Sequence, residues 1–472
     1  MTYRLKIVDA DFEQLRAWVF SAFPREAGAF ALAGAFNRPD GVDVLVRRPV
    51  QVPPELFRVQ REERLEVEGK AINGLAALCE ANNLGAVVCH SHPEDSPYSP
   101  SDDYGERRVF EVLAPFVPRG APLASLMFCP QGIRGRVWLP SRRIFMPLSE
   151  VIILGRCIRR VNIDGRDAAQ DGSVDDLYDR QVRAFGEHGQ RLIASAKVGI
   201  IGVGGMGSPT AEQLARLGVR DIVLVDPDTF SASNLTRMYG TFATPKRRCR
   251  WPWLLKSGPP PKVDLIASHV RKIQPGIQVT SAPRSVVLRD AARRLLDRDV
   301  LFLCTDEHWG RSVVNELAHQ YLIPTINLGM SIRSRDGVIS GASGAVDVIR
   351  PGTACLWCSQ FLDAGRIAAE SLPPTKHQVL LGQGYVEDID TPAPSVISVT
   401  TTLSGMAVTV FLQLVTDFMG AAGAISRLRY DIMEGTVRRG TTAVRPDCVC
   451  QKVKAFGDLR ELPTLDELPT DD

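Results

Sequence analysis

The sequence predicts an α/β chain in two parts: an α/β unit over residues 1–150 and a Rossmann-like, doubly wound parallel sheet over residues 177–455. Three observations carry that reading. A length of 472 residues exceeds one ordinary core. The stretch AKVGIIGVGGMGS runs from an apolar strand through a glycine turn into a helical pattern. Far upstream, the apolar run GAVVC ends in two histidines, His90 and His92, separated by one serine.

In chain order, residues 11–22 (DFEQLRAWVFSA) space their apolar residues as a helix, and Phe23-Pro24 stops it. GAFALAGAF reads as a buried strand, ERLEVEGKAINGLAALCEANN as a second helix, and GAVVCH as the strand after it. PLASLMFC and GRVWL supply further strands. Residues 160–177 (RVNIDGRDAAQDGSVDDL) are polar and poorly periodic, and a linker is expected over 151–176. Residues 245–261 (PKRRCRWPWLLKSGPPP) interrupt the α/β rhythm as a surface insertion, and 456–472 are expected as a loose, acidic, Pro-containing tail.

Composition narrows the function. Hydrophobic content of 44% with 23% charged residues describes a soluble globular chain. A net charge of +2 carries no global footprint for nucleic acid or membrane, so neither is expected as a partner. MTYRLKIVDADFEQL lacks the apolar core of a secretory signal. SGMAVTVFLQLVTDFMG contains Gln413 and Asp417 and falls short of a full span, so it is expected as a buried helix. Ten cysteines spread over the chain do not suggest a disulfide scaffold. Four stand in close pairs, Cys355/Cys358 and Cys448/Cys450, which reads as metal binding in a reducing, cytoplasmic compartment.

His-x-His on an extended strand puts both imidazoles on one face. A catalytic zinc needs a third ligand, and Asp103 lies far enough round the following loop to return. A carboxylate outside the ligand set takes the proton from activated water, and Glu26 is the candidate. This arrangement, with Pro93 after the second histidine, resembles the JAB/JAMM (MPN+) metallopeptidases over about residues 5–145. The resemblance implies Glu26 as general base and His90, His92 and Asp103 as zinc ligands. Where that family has an oxyanion-stabilising serine this chain has Pro100, flanked by Ser99 and Ser101. A one-residue adjustment would supply the hydroxyl from Ser101 and leave Asp102 competing with Asp103.

In the second part, Gly202, Gly204, Gly205 and Gly207 form a turn that lets backbone approach phosphate at a helix N-terminus. Asp226, nineteen residues beyond Gly207, is placed for ribose hydroxyls. VDPDTFSASNLTRM adds Asp228, Asn234 and Arg237, and Lys262 opens a later helix. Asp306 in CTDEHWGR stands at the carboxyl end of a further strand, and YDRQ contributes Arg180. Three cations around a phosphate site, with an acid for Mg²⁺, suit attack by a carboxylate on the α-phosphate of ATP.

YDRQ, GVGGMGS, VDPDTFSASNLTR, PKVD and CTD, in that order, resemble the ThiF/MoeB/ubiquitin-activating superfamily over about residues 178–450. The resemblance implies adenylation of the C-terminal glycine of a ubiquitin-like or sulfur-carrier β-grasp protein. It assigns the ribose to Asp226, the phosphates to Arg237 and Lys262, and Mg²⁺ to Asp306. Arg180 would reach across a homodimer interface, and Cys355, Cys358, Cys448 and Cys450 would hold a structural zinc. A conjugating enzyme would be a further partner of such chemistry. No cysteine lies in 359–405, so a thioester nucleophile would be Cys249, beside Arg247, Arg248 and Arg250. Competing readings are sulfur-carrier activation for cofactor or cysteine synthesis, a nicotinamide-dependent oxidoreductase, and a non-catalytic scaffold that binds ubiquitin-like proteins.

Overall fold

The computed structural model describes residues 1–163, 174–242, 258–382 and 394–469. They divide into two units, one from residue 1 through the first sheet with 319–322 and 453–462, the other comprising the remainder.

The N-terminal unit opens with β1 (Thr2–Val8), α1 (Asp9–Val19), β2 (Gly28–Arg38) and β3 (Gly41–Gln51). Next are the hairpin β4 (Phe57–Gln60) and β5 (Leu65–Val67), α2 (Gly69–Asn82), β6 (Gly85–Ser91) and α3 (Pro100–Leu113). Then come β7 (Leu123–Phe128), β8 (Ile133–Leu139), β9 (Ile144–Pro147), β10 (Glu150–Leu154) and β11 (Ile158–Asn162). Nine of the strands make one mixed sheet, ordered β11-β10-β1-β3-β2-β6-β7-β8-β9. Period-two alternation sorts its faces: Ala29, Ala31 and Ala33 of β2 pack with Phe12, Leu15 and Val19 of α1, while Phe30 and Leu32 pack with α2 and α3. Small alanines on one face and larger residues on the other let helices cover both.

Three expectations change here. Residues 151–162 are not linker: the apolar run Val151–Leu154 pairs parallel with β1, and β11 pairs antiparallel with β10. ERLEV does not start a helix, because Leu65–Val67 pairs with β4 and α2 begins at Gly69. The described part of the 456–472 segment is not loose. Phe456 and Leu459 pack on the α2–α3 side of the N-terminal sheet, and the Asp458 N–H donates to Ala35 O at 2.6 Å. Leu465, in the other unit, pairs with Leu288.

That second unit begins with α4 (Asp179–Ser195), β12 (Lys197–Ile201), α5 (Gly207–Leu217), β13 (Asp221–Val225), α6 (Lys262–Ile273), β14 (Gln278–Ala282) and α7 (Arg289–Arg293). It continues through β15 (Val300–Leu303), α8 (His308–Gln320), β16 (Thr325–Arg335), β17 (Val338–Ile349), α9 (Ala364–Glu370) and α10 (Pro374–Gly382). The last elements are α11 (Ile397–Thr416), β18 (Arg427–Asp431), β19 (Thr436–Gly440) and α12 (Val449–Val453). The sheet order is β14-β13-β12-β15-β16-β17-β18-β19. Its first five strands are parallel and its last three pair antiparallel. The strand order reverses between β12 and β15, the point at which such sheets open a crevice beyond their carboxyl ends. Helix α11 is long and apolar enough to cross a membrane. Here it buries Leu403, Ala407, Phe411 and Leu414, with Phe411 against Phe302 of β15.

Asp43 of β3 is fully buried and ringed by cations. Arg4 Nε and Arg38 Nε each lie 2.7 Å from its Oδ1, and Lys6 Nζ lies 3.4 Å from Oδ2. Burial alone would raise its pKa, but Lys6, Arg4 and Arg38 outweigh it and hold the carboxyl at about 2, below the ordinary 3.8. A depressed acid stabilises the fold above its unfolded pKa and loses that contribution as pH falls through its folded pKa. Asp43→Asn should therefore destabilise this unit by about 3–5 kcal/mol at neutral pH, because three cations lose the buried carboxylate they share, although Arg38 keeps Asp40 and Arg4 keeps Glu150. The gap to wild type should narrow as pH falls from 3.8 towards about 2. Amide exchange across β1 and β3 as a function of pH measures both effects.

Candidate functional site

Beyond the carboxyl ends of β12, β13 and β15 lies a crevice of about 540 Å³. Its floor is the glycine turn. Gly202 has φ +82°, and a Cβ there would stand 2.7 Å from Thr305 N. A Cβ on Gly207 would stand 1.9 Å from Gly202 O, so only glycine closes the turn onto α5. Gly204 and Gly205 line the crevice, whereas Gly207 acts behind the turn. Asp226 comes directly after β13. Its Oδ2 accepts from Val203 N at 2.7 Å and its Oδ1 from Asp228 N at 2.9 Å. Burial pushes this carboxyl up, opposed by Lys262 and by those two N–H groups.

Lys262 and Arg237 line the same crevice, and Lys262 Nζ lies 2.6 Å from Asp228 Oδ2. Asp306 stands beyond β15 on the opposite side of the turn. Beside it, Glu307 is raised to about 7 by burial first and then by Glu370, Asp306, Asp228 and Asp226. Asp306 and Glu307 both line the crevice, so their carboxylates are the oxygen donors a Mg²⁺ ion would meet there. Two expected residues lie elsewhere. Asn234 is buried, and its Oδ1 accepts from Ser231 N at 2.9 Å, closing the turn that carries Arg237. Arg180 is exposed at the start of α4, outside the crevice lining. Cys249 lies outside the described residues.

Sequence reading missed Arg311, Arg366 and Arg429, which also line the crevice. Arg311 is the informative one. It is buried one turn into α8, reaches Leu328 O at 3.2 Å and lies over the Phe361 ring at 4.9 Å. Burial lowers it to about 10, still protonated at neutral pH. Its signal was its place five residues after Asp306. Arg366 and Arg429 come from α9 and an antiparallel strand that no nucleotide motif marks.

The four paired cysteines converge. Cys355 Sγ lies 3.4 Å from Cys448 Sγ and 3.8 Å from Cys358 Sγ, which lies 3.8 Å from Cys450 Sγ. All four are buried. Tetrahedral zinc with Zn–S of about 2.3 Å spaces its sulfurs by about 3.8 Å, so the residues fit that ion despite the short Cys-x-Cys pair. Hydrogen bonds from Cys450 and Cys448 outweigh burial and hold Cys355 well below the usual thiol range.

In the N-terminal unit, the antiparallel register pairs Gly28 with His90 and so brings Glu26 opposite His92. His92 Nε2 lies 3.6 Å from Glu26 Oε1 and 3.3 Å from Asp102 Oδ2, and His90 Nε2 lies 3.7 Å from Asp102 Oδ1. None of these contacts has hydrogen-bond alignment: both buried Nε2 atoms lack a hydrogen-bond partner among the described residues. Two such nitrogens facing one carboxylate fit a metal ion.

The carboxylate is Asp102, not Asp103. Ser99 caps α3, its Oγ accepting from Asp102 N while Asp102 Oδ2 accepts from Ser99 N. That cap starts the helix at Pro100 and aims Asp102 at the histidines. Asp103, one position round, pairs with Arg136 instead. Ser101 is exposed in the first turn. Burial lowers His90 to about 4, and burial raises Glu26 to about 7 against the pull of His92.

A family model described as "ThiF family" matches residues 178–451. The chain belongs to the ThiF family. The match begins beyond the N-terminal sheet. Among curated relatives, the molybdopterin-synthase adenylyltransferase of Escherichia coli (strain K12) is 31% identical over 161 residues, 33% of this chain and 58% of that protein. The adenylyltransferase and sulfurtransferase uba4 of Emericella nidulans is 35% identical over 143 residues, 30% of this chain and 27% of that protein. The SAMP-activating enzyme E1 of Haloferax volcanii is 25% identical over 197 residues, 40% of this chain and 63% of that protein. The chain therefore matches only 27–63% of the length of these relatives.

Cys450→Ser should release one zinc per chain and lower the thermal midpoint of the second unit by roughly 5–10 °C. Cys304→Ser, buried but outside the cluster, should keep the zinc. Metal analysis with calorimetry of both variants is the check.

Proposed function

We propose that the second unit adenylates the C-terminal carboxylate of a small ubiquitin-like or sulfur-carrier protein with ATP. The observation that carries this reading is the crevice, where a glycine turn, Asp226, Arg237, Lys262 and Asp306 line one space. The activities that name those relatives, adenylyltransferase and SAMP-activating, agree with it. Asp226 takes the ribose hydroxyls, and the turn amides receive phosphate. Arg237 and Lys262 offset triphosphate charge. The carrier's carboxylate oxygen attacks the α-phosphorus, the bond from that phosphorus to the bridging oxygen breaks, and pyrophosphate leaves. Mg²⁺, held by Asp306, would neutralise charge on the departing phosphates. Arg311, buried and protonated, adds positive potential to the wall.

Arg180 fits this reading as a residue contributed across a homodimer. Transfer of the activated carrier to a thiol, and from there to a conjugating enzyme, would fall to Cys249. Sulfur-carrier activation remains the alternative outcome of the same adenylate. Purified chain with the small-protein fraction of its native lysate should exchange pyrophosphate into ATP. Asp306→Ala should lose at least a hundredfold of that exchange; undiminished exchange would remove Asp306 from the reaction.

A second reading rests on the two buried Nε2 atoms facing Asp102. The N-terminal unit hydrolyses a peptide or isopeptide bond of the same carrier, with His90, His92 and Asp102 holding zinc. Such an ion supplies Lewis acidity and lowers the pKa of its water to about 7. Glu26 sits beside the histidines with its carboxyl raised to about 7, in the range that suits a base at neutral pH. Tethering gives both activities one local concentration of carrier. Glu26→Gln should abolish cleavage of a carrier–peptide fusion while keeping zinc bound. Cleavage by Glu26→Gln equal to wild type would remove Glu26 as the base, and no cleavage by wild type would favour a non-catalytic scaffold.

A further inference from the structure

Behind the histidine pair lies a second layer of polar side chains, outside the proposed ligands His90, His92 and Asp102 and apart from Glu26. Parallel register sets Val88 against Ser125, and antiparallel register sets Ser125 against Arg136. His90, two residues beyond Val88, shares that face of the sheet. Helix α3 lies over it and brings Glu106, one turn after Asp102, to 6% exposure. Glu106 Oε1 stands 3.5 Å from His90 Nδ1 and accepts from Ser125 Oγ, while Oε2 accepts from Arg136 Nε at 2.9 Å. Arg136 is itself fixed. Its guanidinium lies between the rings of Tyr98 and Phe145, 3.7 and 3.8 Å from their centroids, and also pairs with Asp103.

Burying an Arg–Glu pair is costly and seldom gains stability over an apolar pair. Here the buried carboxylate faces the one imidazole nitrogen turned away from the Asp102 gap. We propose that Glu106 is a positioning residue: it accepts the Nδ1 proton of His90, fixes that tautomer, and so presents the bare Nε2 to a divalent metal ion. Ser125 and Arg136 hold the carboxylate in place. One helix thereby supplies both the ligand Asp102 and, four residues on, the orienter of its partner histidine. Carboxylates behind ligating histidines commonly alter metal affinity 10–100-fold. The inference rests on the metal-site reading of this unit and is tested so that the two fail separately.

The first arm uses the zinc-free full chain with ¹⁵N-labelled histidine, assigned by the signal lost in His90→Gln. Wild type should show His90 as the Nδ1–H tautomer, and Glu106→Gln should lose that preference. An Nε2–H tautomer in wild type overturns the proposal. The second arm titrates Co²⁺, whose bands at the histidine site lack the thiolate charge transfer of the cysteine cluster. Glu106→Gln should weaken Co²⁺ at the histidine site about 10–100-fold. Ser125→Ala, a milder change, should weaken it less. Unchanged affinity in Glu106→Gln overturns the proposal. Absence of Co²⁺ binding by wild type overturns the metal-site reading, while the tautomer still decides the role of Glu106.

Discussion

The nucleotide crevice depends on one constraint, the parallel register of β12 with β13 and β15. Ile201 pairs with Val225 and with Leu303, so the three strands end together. The segments leaving these strands must then share one edge, which carries Gly202, Asp226 and, two residues further along its loop, Asp306. The turn closes only because Gly202 adopts a left-handed conformation and Gly207 lies against it without a side chain. Both faces of these strands are buried, so a register slip would disrupt helices on both sides. The geometry of the crevice is inherited from the core.

The N-terminal site obeys a different constraint. Its residues come from an antiparallel pair and from a helix cap. The β2–β6 register brings Glu26 to His92, and the Ser99–Asp102 capping box decides which aspartate faces the histidines. A helix rotates about 100° per residue. Moving the helix start by one residue therefore exchanges Asp102 for Asp103, which is why one serine fixes the identity of the carboxylate.

Much of this was legible in sequence because it is local. The glycine turn, Asp226, Asp306 and the His-x-His pair each sit at a strand end, where periodicity and turn chemistry speak together. The features that escaped arise from pairing and packing. The choice of Asp102 over Asp103 depends on a cap, and Glu106 on a helix laid over a sheet face. Arg429 reaches the crevice from β18, an antiparallel strand that pairs with β17 far along the sheet. Residues 151–162 read as linker because the paired strand is at the other end of the unit's sequence, β1. Asn234 carried the motif but serves the loop fold, since its side chain is consumed by Ser231.

On the proposed reading, the crevice of the second unit takes a magnesium triphosphate rather than a dinucleotide. Titration of the purified full chain with MgATP, and separately with NAD, tests it most directly. Lys262, Arg237 and Arg311 around one glycine turn predict saturable MgATP binding that weakens when magnesium is withheld and is not displaced by NAD. Saturable NAD binding with no binding of MgATP would contradict the account.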